Sequence, residues 1–254
     1  MERVSAIVTC FNRAKEIEAC LSSLEWVDEL IVVDSFSTDD TVEKAGRFTD
    51  KVLQREYRSA ADQKNWALAR TSYDWVLRVD SDEIVPAALR DEISAVLKAP
   101  RFTRYHAYRR NYFLGKEIKR CGCNTDQVPI LFRRDRHRFN EAEVHPRLIP
   151  EGKYGMLANR LVHHAHRSID EFARKSNRYA TWGAKKYFRQ GRNGAAPKMF
   201  FHSLFNFIKL YIFRLGLLDG AEGLIICVLS SCYVAEKYAK LWEIYRKKES
   251  GAGK

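Results

Sequence analysis

Two carboxylates, Asp80 and Asp82, stand one residue apart where the apolar run WVLRVD (75–80) ends. Residues two apart in an extended segment point to the same side, so both carboxylates can address one site. Hard oxygen ligands suit Mg²⁺ or Mn²⁺, and Mg²⁺ is often held by one or two carboxylates together with substrate phosphates. The spacing therefore indicates a metal-bound phosphate site, and a solvated acidic turn before a helix is the simpler alternative.

A third acid, Asp34, ends the apolar run LIVVD (30–34). A carboxylate at the tip of a buried strand is well placed to accept hydrogen bonds from a ribose or a base. The residues that follow, Ser37 to Asp40, are typical of a turn and of the first turn of a helix. From the residues alone, Asp34 belongs either to that turn or to a nucleotide site.

The elements that must position these acids alternate over the first hundred residues. Apolar strands are predicted at 4–10, 30–34, 51–55 and 75–80, with helical segments between them. Near-continuous apolar strands separated by helices predict an α/β fold with a mostly parallel sheet covered on both faces. Ligands of such sheets bind beyond the carboxyl ends of the strands, where Asp34 and Asp80 both fall.

The second half of the chain changes character twice. Strands are predicted at 104–110, 128–134 and 159–166, with a long loop at 111–127. After residue 168 the pattern becomes helical. We therefore predict a catalytic domain at 1–167 and a C-terminal helical region at 168–254 that docks on a membrane surface or a partner.

Several stretches carry a resemblance to a known family. AIVTCFNRAKEIEACLSSL, VDELIVVDSFSTDDTVE, ADQKNWAL and DWVLRVDSDE resemble, in order and spacing, the inverting glycosyltransferases of family 2, which have the GT-A fold with a Rossmann-like nucleotide-binding half. RRNYFLGK, LFRRDRHRFN and NRYATWGAKK are similar to a narrower branch, the glucosyltransferase-like lipopolysaccharide core β-glycosyltransferases. The likeness runs from about residue 3 to 243.

The resemblance implies an activity. A sugar, with glucose favoured, would pass from a nucleotide diphosphate donor, with UDP favoured, to a hydroxyl of the lipopolysaccharide inner core. The transfer would be a single displacement with inversion, assisted by Mg²⁺ or Mn²⁺.

The resemblance also assigns roles to matching positions. Residues expected to bind the donor nucleotide are Thr9, Asn12, Arg13, Asp34, Gln63, Lys64, Asn65, Asp80 and Ser81. Residues expected to hold the metal are Asp80, Asp82 and His163.

The catalytic base has several candidates. An inverting transfer needs a carboxylate that takes the proton of the attacking hydroxyl. The family often has an acid after arginine-phenylalanine and a glutamate after valine-histidine, but in RFNEAEVHPRL Pro146 stands at the second position. We favour Glu141 as the base, with Asp126 second and Glu143 also considered.

Histidines and cysteines offer weaker signals. A zinc site at His163, His164 and His166 lacks a further ligand at the usual spacing, so packed or phosphate-facing histidines are favoured. The six cysteines form no CxxC pair and are predicted to be buried or incidental thiols.

The net charge of +12 predicts an anionic partner. No nucleic-acid-binding signature is present. The helical tail is apolar and aromatic-rich and is punctuated by Lys and Arg, which is typical of helices in a membrane interface. No stretch reaches the roughly 18 uninterrupted apolar residues of a membrane span, and no signal peptide is evident. We expect a cytoplasmic protein, peripheral on the inner face of the cytoplasmic membrane, and a homo-oligomer is an alternative use of the tail.

Other functions remain to be weighed. A non-catalytic protein that binds anions or a membrane surface is the alternative from a different class, and a transferase acting on another lipid-linked or capsular glycan is the nearer one. A sugar-nucleotide pyrophosphorylase would need a glycine-rich loop, and TCFNRAKE has no glycine. A glycosidase would place two carboxylates around a sugar bond without a nucleotide.

Overall fold

A computed structural model describes residues 2–141, 146–192 and 196–250. The chain forms two compact units. The first comprises Met1–Arg110 and Thr125–His164, and the second comprises Asn111–Asn124 and Ala165–Lys254. The predicted division into a catalytic domain at 1–167 and a helical region at 168–254 remains a prediction.

The elements alternate as the sequence predicts in the first hundred residues. The strands are β1 (Val4–Cys10), β2 (Glu29–Asp34), β3 (Val52–Gln54), β4 (Trp75–Asp80), β5 (Glu83–Ile84), β6 (Arg104–Phe113), β7 (Lys116–Ile118), β8 (Gln127–Arg133), β9 (Arg138–Phe139), β10 (Leu148–Ile149), β11 (Gly155–Met156) and β12 (Leu161–His166). The helices are α1 (Ile17–Ser22), α2 (Thr41–Ala45), α3 (Ala60–Leu68), α4 (Ala87–Lys98), α5 (Ile169–Arg189), α6 (Ala196–Ile208) and α7 (Gly220–Glu249).

The main sheet has the strand order β3-β2-β1-β4-β8-β6-β12-β5. Its first four strands are parallel to one another. Strand β8 then pairs antiparallel with β4 and with β6. The predicted α/β class, a mostly parallel sheet flanked by helices with long C-terminal helices, is confirmed.

The parallel strands are mostly apolar because both of their faces are covered. Along β1, Ala6 and Val8 pack into one core cluster, while Ile7 between them packs into another. The alternation follows from the period of two in a strand, which sends successive side chains to opposite faces. The first cluster includes Leu21 of α1, and the second includes Leu68 of α3.

The long loop predicted at 111–127 is wrong in part. Strand β6 runs on to Phe113 and turns directly into β7, whose Lys116 pairs with Phe113. The two turn residues, Leu114 and Gly115, have φ values of 50° and 84°. Two successive residues with positive φ match the twist of a two-residue hairpin loop. Leucine is uncommon at the first of these positions, so the sequence did not indicate the turn.

The second unit is helical beyond residue 168. Helix α5 begins after Ser168, whose side chain accepts a hydrogen bond from the backbone of Glu171. Helices α5 and α6 pack against α7. In the described part of the chain one helical stretch, Gly216–Glu249, is long and apolar enough to cross a membrane by length and composition, and 22% of its most apolar window is buried.

Candidate active site

Two strand-end acids lie at one edge of the parallel sheet, on either side of β1. In the strand register, Cys10 is opposite Asp34 on β2, and Thr9 is opposite Asp80 on β4. One strand therefore separates Asp34 from Asp80, which corresponds to roughly 10 Å between their backbones. The edge is the carboxyl end of the strands, where the sequence places both acids.

Asp80 lies among three cations. Its Oδ1 atom is 3.1 Å from Nζ of Lys64. Its Oδ2 atom is 2.5 Å from Nη1 of Arg78 and 3.3 Å from Nη2 of Arg109. The cationic side chains are between 6% and 15% exposed, whereas that of Asp80 is 29% exposed. The carboxylate thus faces the solvent side of a buried group of positive charges.

A second, fully buried acid holds this group together. Glu83 accepts a hydrogen bond of 2.7 Å from the backbone N–H of Asp80 and is paired with the guanidinium of Arg109. It also lies 3.8 Å from Nη2 of Arg78. A buried carboxylate without such partners would strongly destabilise the fold. The pairing of Glu83 with Arg78 and Arg109 therefore holds both arginines near the end of β4.

The charges in the cluster reinforce one another. Burial alone would raise the pKa of Asp80, but Arg78, Lys64 and Arg109 outweigh it and hold that pKa well below its ordinary value. Burial lowers the pKa of Lys64, and the negative charge of Asp80 opposes this effect. Burial also acts to lower the pKa of Arg109, but Glu83 and Asp80 raise it above its ordinary value. The site therefore presents an ionised carboxylate beside charged guanidinium groups.

Strand pairing brings His163 to the second aspartate of the motif. Strand β5 pairs antiparallel with β12, with Glu83 opposite His163. Nε2 of His163 lies 3.7 Å from Oδ1 of Asp82, and both side chains are 11% exposed. The carbonyl oxygen of Asp82 accepts a 2.9 Å hydrogen bond from the backbone of His164. The structure thus joins two of the three residues predicted to hold the metal.

The residues present fit an Mg²⁺ or Mn²⁺ ion that shares its coordination with a substrate. Among the described residues, no three His, Cys, Asp or Glu side chains gather closely enough to enclose an ion by themselves. Asp82 and His163 are a carboxylate and an imidazole within one ion's reach, while Asp80 is already held by cations. Two protein ligands completed by diphosphate oxygens and water are ordinary for these ions.

Asp34 is fully buried and organises the loop that follows β2. Its Oδ2 atom accepts a 2.8 Å hydrogen bond from the backbone of Ser37, whose hydroxyl contacts Oδ1. Gln54 donates a further hydrogen bond of 3.4 Å. The loop is also tied to Asn12, whose backbone donates to the Ser37 hydroxyl at 2.8 Å and whose side chain accepts from Thr38 at 2.8 Å.

The three residues of α3 that are predicted to bind the donor nucleotide point in different directions. Gln63 is buried and donates to the hydroxyl of Ser35 at 2.7 Å, just after Asp34. Lys64 reaches Asp80. The side-chain amide of Asn65 bonds both the N–H and the carbonyl of Phe139, each at 2.8 Å, and so attaches α3 to β9. Gln63 and Lys64 therefore face the sheet edge, whereas Asn65 serves strand attachment.

The other residues predicted to contact the nucleotide-sugar donor flank the same edge of the sheet. Thr9 is partly exposed near the end of β1, and Ser81 is buried between the two aspartates. The backbone of Arg13 donates to the hydroxyl of Thr41 at the start of α2, at 2.7 Å. Nucleotide and metal roles for all of these residues remain predictions.

The two favoured base candidates connect to the cluster by different routes. Asp126 lies 3.6 Å from Nη1 of Arg109, and its carbonyl accepts a 2.8 Å bond from the backbone of that arginine. Glu141 is exposed two residues beyond Phe139, whose ring is 5.7 Å from Nζ of Lys64. Glu143 and His145 lie outside the described residues.

The remaining motifs take packing roles. The ring of His166 packs edge-on against Phe172 at 4.7 Å between centroids. The described cysteines carry no disulfide, and four of them are buried: Cys10, Cys20, Cys121 and Cys227.

Sequence reasoning missed the buried charge network and two exposed aromatic side chains. Arg78 interrupts the apolar strand β4, and a charged residue within such a run is a signal that could have identified it. Glu83 directly follows the two aspartates, but the sequence does not show that Arg109 would reach it from β6. Phe11 and Phe36, 52% and 54% exposed, follow β1 and β2 at the same sheet edge.

Comparison with known proteins agrees with this geometry. Residues 5–136, just over half of the chain, match Glycosyl transferase family 2. The lipopolysaccharide core biosynthesis glycosyltransferase LpsC of Rhizobium meliloti is 29% identical over 249 residues, which cover 94% of this chain and 92% of that protein. An uncharacterised glycosyltransferase of Rickettsia felis is 27% identical over 263 residues, covering 96% of this chain and 90% of that protein.

More distant similarity involves a different transferase. Glucosyl-3-phosphoglycerate synthase of Mycobacterium tuberculosis is 36% identical over 99 residues, which cover 34% of this chain and 31% of that protein. A crystal structure of that synthase with Mg²⁺ and UDP aligns with a TM-score of 0.38 at 27% identity, over 43% of this chain and 44% of that chain. The structural match thus spans less than half of either molecule.

The family match settles the class of reaction. It decides against a non-catalytic anion-binding protein, a pyrophosphorylase and a glycosidase, because the matched family transfers sugars from nucleotide donors. The matched residues 5–136 include the strand-end acids and the cation cluster around Asp80. The chain belongs to glycosyl transferase family 2, has a GT-A type fold, and is a glycosyltransferase that uses a nucleotide sugar.

Proposed function

We propose that the protein transfers glucose from UDP-glucose to a hydroxyl of the lipopolysaccharide inner core, with inversion of the anomeric centre. The observation that carries the donor half of this proposal is the sheet edge at Asp80. There, Asp82 and His163, which we propose as metal ligands, lie at the same strand end as the cations Lys64, Arg78 and Arg109, and an ion together with these cations would offset the negative charge of a diphosphate.

The acceptor is proposed from the relative that spans nearly the whole chain. LpsC is named for lipopolysaccharide core biosynthesis and covers 94% of this chain. Glucose as the transferred sugar is supported by the shorter likeness to a glucosyl-transferring synthase. UDP is the nucleotide that the family resemblance leads us to expect.

The chain's own residues would divide the work. Asp82 and His163 would hold Mg²⁺ or Mn²⁺, with Asp80 beside them. When bound, the ion would neutralise negative charge on the departing nucleoside diphosphate. Lys64, Arg78 and Arg109 are already positioned by Asp80 and Glu83, so they can stabilise the same charge without reorganising.

A single displacement also needs a base for the acceptor hydroxyl. We propose Glu141, which is exposed and can meet an incoming glycan. Asp126 is the second candidate, but its carboxylate lies 3.6 Å from Arg109, and that positive charge opposes proton uptake.

The experiment is a transfer assay with radiolabelled sugar nucleotides and a panel of acceptors. We expect incorporation from UDP-glucose into core-truncated lipopolysaccharide, dependent on Mg²⁺ or Mn²⁺, and a β-linkage in the product by NMR. Transfer only from another sugar nucleotide would overturn the glucose assignment. Transfer to an undecaprenyl-linked or capsular glycan, with none to lipopolysaccharide, would establish the alternative acceptor.

A further inference from the structure

Helix α6 of the second unit presents an apolar side to solvent. All residues of α6 are described, and none of them is buried. Phe200, Phe201 and Phe205 are 60%, 65% and 61% exposed, and Phe213 in the following turn is 74% exposed. Phenylalanine side chains are usually buried in folded proteins, so four such exposures within fourteen residues need an explanation.

The side of α6 that faces α7 is mixed: Phe207 packs into the apolar cluster of this unit, and polar side chains lie beside it. The ring of His202 stacks on Tyr238 of α7 with 4.8 Å between centroids. The amide of Asn206 lies 3.4 Å from the hydroxyl of Ser231, also on α7. A helix on the surface of a water-soluble domain normally keeps its outward side polar. The outer surface of α6 is therefore suited to an apolar environment.

The exposed apolar surface continues past the helix. We define the aromatic segment as residues 198–218. Its exposed apolar members are Met199, Phe200, Phe201, Leu204, Phe205, Ile212, Phe213, Leu215, Leu217 and Leu218. The four phenylalanines alone leave on the order of 500 Å² uncovered, and contiguous apolar patches larger than a few hundred Å² mark interaction sites.

The charge of the residues around the aromatic segment indicates what kind of partner covers its exposed apolar surface. From residue 172 to residue 218 the chain contains no Asp or Glu. Over the same range it carries ten cations: Arg174, Lys175, Arg178, Lys185, Lys186, Arg189, Arg192, Lys198, Lys209 and Arg214. A second copy packed through the same patch would bring this positive charge against itself, because a two-fold interface uses one surface on both subunits. An anionic lipid surface offers apolar chains and compensating phosphates together.

We propose that the aromatic segment docks on an anionic lipid bilayer, with its four exposed phenylalanine side chains inserted at the level of the acyl chains. The exposed Lys198, Lys209 and Arg214 would then lie among the lipid phosphates. Helix α7 keeps its packing on α5, where Nζ of Lys240 is 2.7 Å from Oδ1 of Asn177 and 2.8 Å from the hydroxyl of Thr181. The association is therefore peripheral. It stands independently of which sugar and acceptor the enzyme uses.

The test is flotation of the full-length protein with vesicles of phosphatidylcholine alone or mixed with phosphatidylglycerol. We expect binding to the mixed vesicles, weakened at least about 10-fold on neutral ones. Replacing Phe200, Phe201 and Phe205 together by serine should abolish flotation and leave UDP binding unchanged. The substituted side chains are exposed, so this variant should fold, and its circular dichroism spectrum checks that.

A matched pair of charge variants distinguishes attraction of the aromatic segment to lipid phosphates from the effect of the protein's overall positive charge. Reversing Lys198, Lys209 and Arg214 to glutamate should lower the affinity for anionic vesicles at least about 10-fold. Reversing three exposed cations of the first unit, Lys98, Arg101 and Arg136, should leave flotation unchanged. An equal loss in both variants would contradict the proposal.

Three further results would overturn it. Failure of the wild-type protein to float with the phosphatidylglycerol-containing vesicles would reject membrane docking. A dimer in sedimentation experiments that the triple serine variant dissolves would assign the patch to a second copy. Resistance of the bound protein to a carbonate wash would show that it spans the bilayer.

Discussion

The Nε2 atom of His163 lies 3.7 Å from Oδ1 of Asp82, although the two residues are far apart in the sequence. The pairing of β5 with β12 creates this proximity, with Glu83 opposite His163. Glu83 in turn fixes the arginines beside Asp80. One short strand therefore organises both the proposed metal ligands and the cations beside Asp80.

Replacing His163 by alanine should weaken binding of Mn²⁺ in the presence of UDP at least about 10-fold, because a metal ligand is lost. The measurement is calorimetric titration of the metal into the protein–UDP mixture. His164 is the control, since its side chain points to the opposite face of the strand. Equal losses in the His163→Ala and His164→Ala variants would show that the effect is structural.

Replacing Arg109 by alanine should lower the free energy of unfolding by about 3–5 kcal/mol, because Glu83 is fully buried and would lose its main partner. Urea denaturation measures this. The control is Arg133→Ala, since that arginine pairs with exposed Asp74 and Asp135, and its loss should cost about 0–1 kcal/mol.

A second substitution tests the reason for that loss. Adding Glu83→Gln to Arg109→Ala removes the unpaired charge and should recover part of the stability. The comparison also needs the Glu83→Gln single variant. If the loss of unfolding free energy in the double variant equals the sum of the losses in the two single variants, the two residues are not coupled.

Glu29 should make stability fall in acid. Burial acts to raise its pKa, but hydrogen bonds from Lys51, Ser5 and Ser72 outweigh it and lower the pKa from 4.5 to about 2. Because the pKa of Glu29 is lower in the folded state, its negative charge stabilises the fold at pH values above the unfolded pKa near 4.5. This contribution is lost as the pH falls towards 2. The shift corresponds to about 3 kcal/mol, reduced to about 2 kcal/mol by the screening of half-exposed Lys51.

Glu29→Gln therefore tests this linkage by urea denaturation at several pH values. The variant should be less stable than wild type at pH 7, and the difference should narrow between pH 4.5 and pH 2. A difference that stays constant over that range would mean that the charge of Glu29 is not involved.

Replacing Glu141 by glutamine should lower kcat about 10²–10⁴-fold and leave the affinity for UDP unchanged, because only proton transfer is lost. Steady-state kinetics with the acceptor and calorimetry with UDP give the two quantities. Asp126→Asn is the comparison. If that variant loses kcat and Glu141→Gln does not, the base is Asp126.

The parallel half of the fold could be predicted from the sequence because its strands are apolar on both faces and end in polar residues. The bounds of β1 and β4 agree with the predicted runs, and Asp34 and Asp80 lie at the predicted sheet edge. The charge network could not be predicted. It depends on contacts between β4, β5 and β6, which join residues that no local pattern relates, such as Glu83 and Arg109.

The second unit shows the same limit. Helical spacing predicted α5, α6 and α7, and apolar content suggested a docking surface. It could not show that α6 turns His202 and Asn206 towards α7 and three of its four phenylalanines outward, because that orientation depends on tertiary packing.

The central claim is that Asp82 helps to hold a metal-bound nucleoside diphosphate at the end of β4. Isothermal titration with UDP, with and without Mn²⁺, tests it in wild type and in Asp82→Ala. Asp91→Ala on α4 is the control, since that side chain is 68% exposed and pairs only with neighbouring Arg90 among the described ion pairs. We predict that Mn²⁺ tightens UDP binding in wild type and in Asp91→Ala but not in Asp82→Ala. UDP binding with the same Mn²⁺ dependence in Asp82→Ala would contradict the claim.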